Sequence, residues 1–148
     1  MSYIKIFISY CKEDKSKMEF IKNLIDIKPQ LKSLVVPQEN SDLDYNPEKI
    51  KKAFAKTTVF LPILTSNSIK SQWVNQEIGY CFALNSIKIE DIKPLVEKNT
   101  ANKLKGFISI SNDLNYRFNN DEDFENVANK LINELFEKYK NYSQYHLY

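Results

Sequence analysis

A carboxylate stands where a soluble helix normally buries hydrocarbon in the stretch Ser71-Gln72-Trp73-Val74-Asn75-Gln76-Glu77-Ile78-Gly79. At about 100° per residue, a helix from Ser68 to Asn85 sets Trp73, Tyr80, Leu84 and Cys81 on one arc with Glu77 among them. Gln72, Asn75, Gln76 and Asn85 gather on the opposite, wet side. Carboxylates are seldom buried unless they are paired or put to use. Glu77 is therefore either a structural carboxylate bonded to a backbone end or a lysine, or a working group in a cleft. Several other chemistries are excluded. With two glycines, Gly79 and Gly106, neither a G-x-G-x-x-G turn nor a phosphate-cradling P-loop can form. The single histidine, His146, lies near the end of the chain, which leaves no Ser-His-Asp or Cys-His arrangement and no metal cluster. Cys11 sits beside Lys12 near a helix start, a setting that can activate a thiol, but no base accompanies it.

The elements that must position Glu77 follow from alternating hydrophobic periods. Tyr3 to Tyr10 (YIKIFISY) reads as a first strand. A helix capped by Asp14 or Ser16 runs to about Ile27, with Met18, Ile21, Leu24 and Ile25 on one face. Leu31 to Val36 is a second strand, Gln38 to Asn46 a polar loop, and Pro47 opens a helix to about Lys56. Thr57 to Leu64 (TTVFLPIL) is a third strand, in which Pro62 lacks a ladder donor and points to an edge or a bulge. After the helix bearing Glu77 come a fourth strand at Ile92 to Glu97, a fifth at Phe107 to Ile110, a loop rich in Asn and Asp, and a last helix from about Asp121 to Lys140. Strand and helix in alternation predict an α/β fold, one domain over residues 1–148, with a doubly wound parallel five-stranded sheet and helices on both faces. Ligands of such sheets bind outside the carboxyl ends of the strands. That rule gathers the Ser9 to Lys15, Gln38 to Pro47 and Thr65 to Trp73 segments around one crevice, with Glu77 one helical turn from its rim. A flavodoxin-like receiver would carry a phosphorylatable Asp after the third strand, but that strand ends Leu64-Thr65-Ser66.

Bulk properties narrow the partners. A net charge of +2 with lysines scattered among acids offers no basic block to track a phosphate backbone, so nucleic acid is not expected. No signal-peptide pattern and no apolar run of about 20 residues is present, so the expectation is a cytoplasmic protein without a membrane anchor. Cys11 and Cys81 do not make a disulfide framework.

With the strand Phe7-Ile8-Ser9-Tyr10, the early acidic helix and the S-x-W-x-x-x-E pattern of Ser71, Trp73 and Glu77, the sequence resembles a Toll/interleukin-1 receptor (TIR) domain over almost its whole length. The apolar-Pro-apolar strand around Pro94 adds to the match, whereas the loop from Gln38 to Pro47 lacks the glycine that the family often carries there. A chain of this size looks most similar to the stand-alone prokaryotic TIR proteins of antiphage defence, including Thoeris-type systems.

The resemblance implies the flavodoxin-like TIR fold and cleavage of NAD, as substrate rather than cofactor, at the nicotinamide–ribose bond. It also implies self-association with other TIR domains and a separate downstream effector. Carried over by position, it makes Glu77 catalytic and sets Trp73, Ser9 and Tyr10 around the cleft. Lys12 is placed to meet a phosphate as a point charge, and Asp42 or Asp44 to meet a ribose. Trp73, four residues before Glu77, shares its helical face and is either core or a pocket wall. Two other classes fit: a non-catalytic TIR interaction domain, and a nucleoside deoxyribosyltransferase-like N-glycosidase. Linear and cyclic ADP-ribose products are equally compatible with the sequence.

Overall fold

The computed structural model describes residues 3–36, 47–84, 91–101, 103 and 115–141. Strands β1 (Ile4–Ser9), β2 (Leu31–Leu34), β3 (Val59–Leu64), β4 (Asp91–Ile92), β5 (Leu95–Glu97) and β6 (Tyr116–Phe118) form one parallel sheet. Its order is β2-β1-β3-β5-β6, with β4 beside β3 ahead of β5, so six strands occupy five positions of the flavodoxin-like arrangement. Helices α1 (Lys15–Asp26), α2 (Pro47–Phe54), α3 (Gln72–Leu84), α4 (Lys98–Ala101) and α5 (Asp121–Tyr139), with 3-10 turns at Lys12–Asp14 and Ser68–Lys70, complete the described elements.

Two apolar layers sandwich the sheet because side chains alternate along each strand. Ile4, Ile6 and Ile8 of β1 and Val59, Leu61 and Ile63 of β3 pack with Met18, Ile21 and Ile25 of α1 and with Phe124, Ala128 and Leu131 of α5. Phe7, Phe60 and Leu64 point the other way, toward Ile50 and Phe54 of α2 and Val74, Ile78 and Cys81 of α3. Phe7 and Phe54 stack with centroids 4.6 Å apart, and Phe60 lies 5.4 Å from Phe54. Every residue of β3 is buried, as expected of a strand covered on both faces.

That burial corrects the reading of Pro62, which lies in the central strand rather than at an edge, paired with Ser9 of β1. The missing donor is tolerated because the other neighbour is interrupted at the same level. Phe60 O accepts from Lys93 N at 2.8 Å, and by period two the Pro62 nitrogen faces that side, at the step between the Phe60–Ile92 and Ile63–Leu95 pairs. The expected strand from Ile92 to Glu97 is accordingly two short strands separated by Lys93 and Pro94.

The expected fifth strand at Phe107 to Ile110 lies outside the described residues. The strand that pairs with β5 is Tyr116–Phe118, within the stretch assigned to a loop, where Tyr116 and Phe118 are buried and Arg117 is exposed. Helix α5 starts where expected. The Asn120 side chain accepts from Asp123 N at 2.9 Å, and Asp121, Glu122 and Asp123 occupy the positive end of the helix dipole. Among the described residues no helix is long and apolar enough to cross a membrane.

Two carboxylates tie helices to the sheet. Asp26, at the end of α1, accepts from Ser33 N at 2.9 Å and from Lys22 Nζ at 2.7 Å. Asp91 of β4 accepts from Lys138 Nζ at 2.5 Å and from the Tyr139 hydroxyl at the end of α5. Burial alone would raise both pKa values, but these donors outweigh it and hold both carboxyls below their ordinary 3.8. A depressed folded value favours the ionised, folded state, so this stability is complete above the unfolded pKa and is lost as pH falls through and below 3.8. Asp91→Asn is expected to lower the melting temperature near neutral pH, where the Lys138 ion pair is lost, and to flatten its decline below about pH 4. Thermal melts of both proteins across that range check it.

Candidate active site

The last residue of β1 is small and polar where the preceding residues are apolar. Ser9 lies on the same sheet face as Phe7, toward α3, and pairs in register with Pro62. Its hydroxyl donates to Glu77 Oε1 at 2.7 Å. The two residues are 1% and 2% exposed, so this contact is inside the protein, 68 residues apart in sequence.

Glu77 reaches that position from a helix that the local sequence starts cleanly. A 3-10 turn, Ser68–Lys70, leads into Ser71, whose hydroxyl accepts from Val74 N at 3.3 Å in the first turn of α3. Among the described side chains, Val74, Ile78 and Cys81 form the buried stripe with Glu77 at its flank, while Asn75 and Gln76 are exposed. Glu77 and Cys81 of the expected arc are buried and Val74 and Ile78 adjoin them; the side chains of Trp73, Tyr80 and Leu84 lie outside the described set. The strand order changes direction between β1 and β3. The Ser9–Glu77 pair therefore lies at the switch point, at the carboxyl end of the sheet, where α/β folds open their ligand crevice.

Tyr10 follows Ser9 but packs with the cluster on the α1 and α5 side. Burial is the main cause of its raised pKa, with the negative charges of Glu77 and Glu19 adding to it, so the phenol stays protonated beyond its ordinary 10.0. Lys12 is exposed on a 3-10 turn, Lys12–Asp14, between β1 and α1. The backbone of Trp73 belongs to the first turn of α3. Asp42 and Asp44 lie outside the described residues. Cys11 is 1% exposed and its thiol donates to Asp14 Oδ2 at 3.1 Å. Burial first, and then that carboxylate, push its pKa up to about 12, which makes it a donor rather than a nucleophile.

The structure also gathers polar contacts that sequence reasoning passed over. Asp14 holds the N-cap position of α1 but makes no capping bond with its side chain. It accepts instead from Thr65 Oγ1 at 2.5 Å and from Asn67 Nδ2 at 3.4 Å, both just beyond β3. On the other flank, Glu97 Oε1 accepts from Ser66 N at 3.2 Å and from Thr100 Oγ1 at 3.3 Å. The run Thr65-Ser66-Asn67-Ser68, four capping-type residues after the central strand, was the available signal, but nothing local names Asp14 as its partner.

The chain matches the family profile described as "TIR domain" over residues 6–132. Its fold is similar to that of the TIR domains in the structure of the activated Roq1 resistosome directly recognizing the pathogen effector XopQ, at a TM-score of 0.55 and 15% identity over 88% of this chain and 84% of that one. No curated protein matches the sequence.

The buried Ser9–Glu77 contact carries a stability consequence of its own. Ser9→Ala leaves Glu77 without this donor and is expected to cost about 1 to 3 kcal/mol, measured by urea unfolding. Ser9→Thr, which keeps a hydroxyl, is expected to lose less.

Proposed function

Since the chain belongs to the TIR domain family, we propose that it cleaves NAD at the nicotinamide–ribose bond with Glu77 as the catalytic carboxylate. The observation that carries this reading is a carboxylate only 2% exposed, held by Ser9 at the carboxyl end of β1, on the helix motif that resembles the family's catalytic segment. Its place near the switch point of the sheet, where ligands of such folds bind, supports the same reading.

One carboxylate is sufficient for this reaction. Glycoside hydrolysis ordinarily uses two, one to protonate a poor leaving group and one to meet the oxocarbenium-like centre. Nicotinamide is already cationic in NAD and departs neutral, so the acid can be dispensed with. As the C–N bond breaks, its electron pair goes to the nicotinamide ring and positive charge grows on the ribose. Glu77 stabilises that charge or holds the ribose hydroxyls, and a low-dielectric surrounding strengthens the attraction. The Ser9 hydroxyl restrains Glu77 Oε1, which limits the reorganisation needed as the charge develops. Attack by water then gives ADP-ribose, and attack by a nucleophile of the same molecule gives a cyclic product. Tyr10, Lys12, Trp73 and Asp44 are the residues assigned to substrate contact.

The same proposal places the enzyme in the cytoplasm as part of an antiphage response, acting through self-association and a product sensed by a separate effector. Self-association is supported by the fold's likeness to TIR domains found in an assembly named a resistosome.

Purified protein incubated with NAD is expected to release nicotinamide, while Glu77→Gln and Glu77→Ala each lose about 100-fold or more in rate. Circular dichroism melts establish that the variants are folded. Absence of nicotinamide release from concentrated or assembled wild type, or variants as active as wild type, sinks the reading. Self-association abolished by loop substitutions in an inactive protein then assigns the interaction role, and preferential turnover of nucleosides assigns the N-glycosidase one.

A further inference from the structure

Helix α3 delivers Glu77 from a junction built of polar groups rather than hydrocarbon. Thr65, the residue after β3, is at its centre. Its hydroxyl gives its one proton to Asp14 Oδ2 at 2.5 Å and accepts from the backbone nitrogens of Asn67 and Ser68 at 3.1 and 3.2 Å. Ser68 Oγ accepts from Thr65 N at 2.7 Å and donates to Thr65 O at 3.2 Å. Ser71 N then donates to Ser68 O at 2.9 Å, and the first turn of α3 follows. Asp14 is 1% exposed, Thr65 1% and Ser68 0%, so the centre of the network is buried, with Asn67 at its exposed edge.

We propose that Asp14 is a positioning residue: its carboxylate anchors the Thr65–Ser71 loop to the start of α1 and so sets the point from which α3 carries Glu77 to Ser9. The kinetic consequence rests on the reading of Glu77 as the catalytic carboxylate, whereas the anchoring does not. Three observations support the assignment. A carboxylate at an N-cap ordinarily bonds its own helix, yet Asp14 forgoes that bond and crosses 51 residues to Thr65. Burying a carboxylate is costly unless donors surround it, and here they come from both sides of the junction: Cys11 on the α1 side, with the Lys17 ammonium as a longer ion pair, and Thr65 and Asn67 on the other. Lys17 Nζ, 3.9 Å from Asp14 Oδ1, is itself held 3.3 Å from Asp121 of α5, which extends the anchor to a third helix.

Lever arm and chemistry connect the anchor to catalysis. From Ser71 to Glu77 the helix rises about 9 Å at 1.5 Å per residue, so a tilt of about 10° at the loop moves the carboxylate by about 1.5 Å. Misplacement of about 1 Å can cost on the order of 100-fold in rate. Core packing of Val74, Ile78 and Cys81 holds the body of the helix, and Ser9 holds Glu77. The buried attachment at Asp14 fixes the point where the helix begins, and the Ser66 N to Glu97 bond pins the loop on its other flank.

Thr65→Val removes the hydroxyl at nearly constant shape, and Thr65→Ser restores it. Trp73, the chain's single tryptophan, lies in the first turn of α3 and reports on that turn by emission and iodide quenching without reference to activity. Folded Thr65→Val is expected to shift Trp73 emission or quenching and to lower kcat for NAD by about 10- to 100-fold with KM changed by less than about 3-fold. Thr65→Ser is expected to resemble wild type in both. Should Thr65→Val fail to fold, Asp14→Asn, which keeps one acceptor oxygen, is expected to give the same changes at smaller size. Unchanged Trp73 signals in a folded variant overturn the anchor. Altered signals with a normal kcat overturn its link to catalysis. A wild type that does not cleave NAD removes the proposed activity, while the Trp73 readout still decides the anchor.

Discussion

The structure turns on the cost of placing carboxylates inside an α/β sandwich. Glu77 and Asp14 are both almost fully buried, and each must be met by donors that only the folded chain brings together. The donors lie at the carboxyl ends of β1 and β3: Ser9 closes one strand and Thr65 follows the other. Parallel pairing of those strands, with Ile6 against Val59 and Ser9 against Pro62, sets their ends side by side. Without that register Asp14 would lose its bond from Thr65.

Hydrocarbon supplies the rigidity that makes such a register dependable. The face of the sheet toward α2 and α3 holds Phe7, Phe54 and Phe60 in mutual contact, and the face toward α1 and α5 holds branched aliphatic residues of β1 and β3 beside Phe118 and Phe124. At the carboxyl rim of the sheet, Ser9, Asp14, Thr65, Ser68 and Glu77 succeed the apolar runs as buried polar groups. This division matches the needs of a site that works by positioning charge: a stiff support, and a short list of bonds that decide where one carboxylate points.

The elements read from the sequence were those whose signal is local and repeated. The 19-residue helix α5 shows its face through Phe124, Ala128, Leu131 and Leu135, and β3 through an unbroken apolar run. Misreadings arose where a residue's meaning depended on a neighbour far along the chain. Pro62 argued for an edge or a bulge, since nothing near it reveals that β4 gives way to β5 beside it. Tyr116–Phe118 was hidden by flanking asparagines, although its buried-exposed-buried alternation is a strand pattern. Asp14 holds the N-cap position read for it, but its side chain bonds Thr65, a partner that only the fold presents.

The sequence by itself determined the alternation of strand and helix, the family, and the misfit of Glu77 on its helix, because hydrophobic period and motif spacing are properties of contiguous residues. Tertiary structure alone decided which polar groups meet: Ser9 with Glu77 across 68 positions, and Asp14 with Thr65 across 51. The physical reason is that a hydrogen bond acts over about 3 Å, a distance that strand register and helix packing set and that no local pattern encodes.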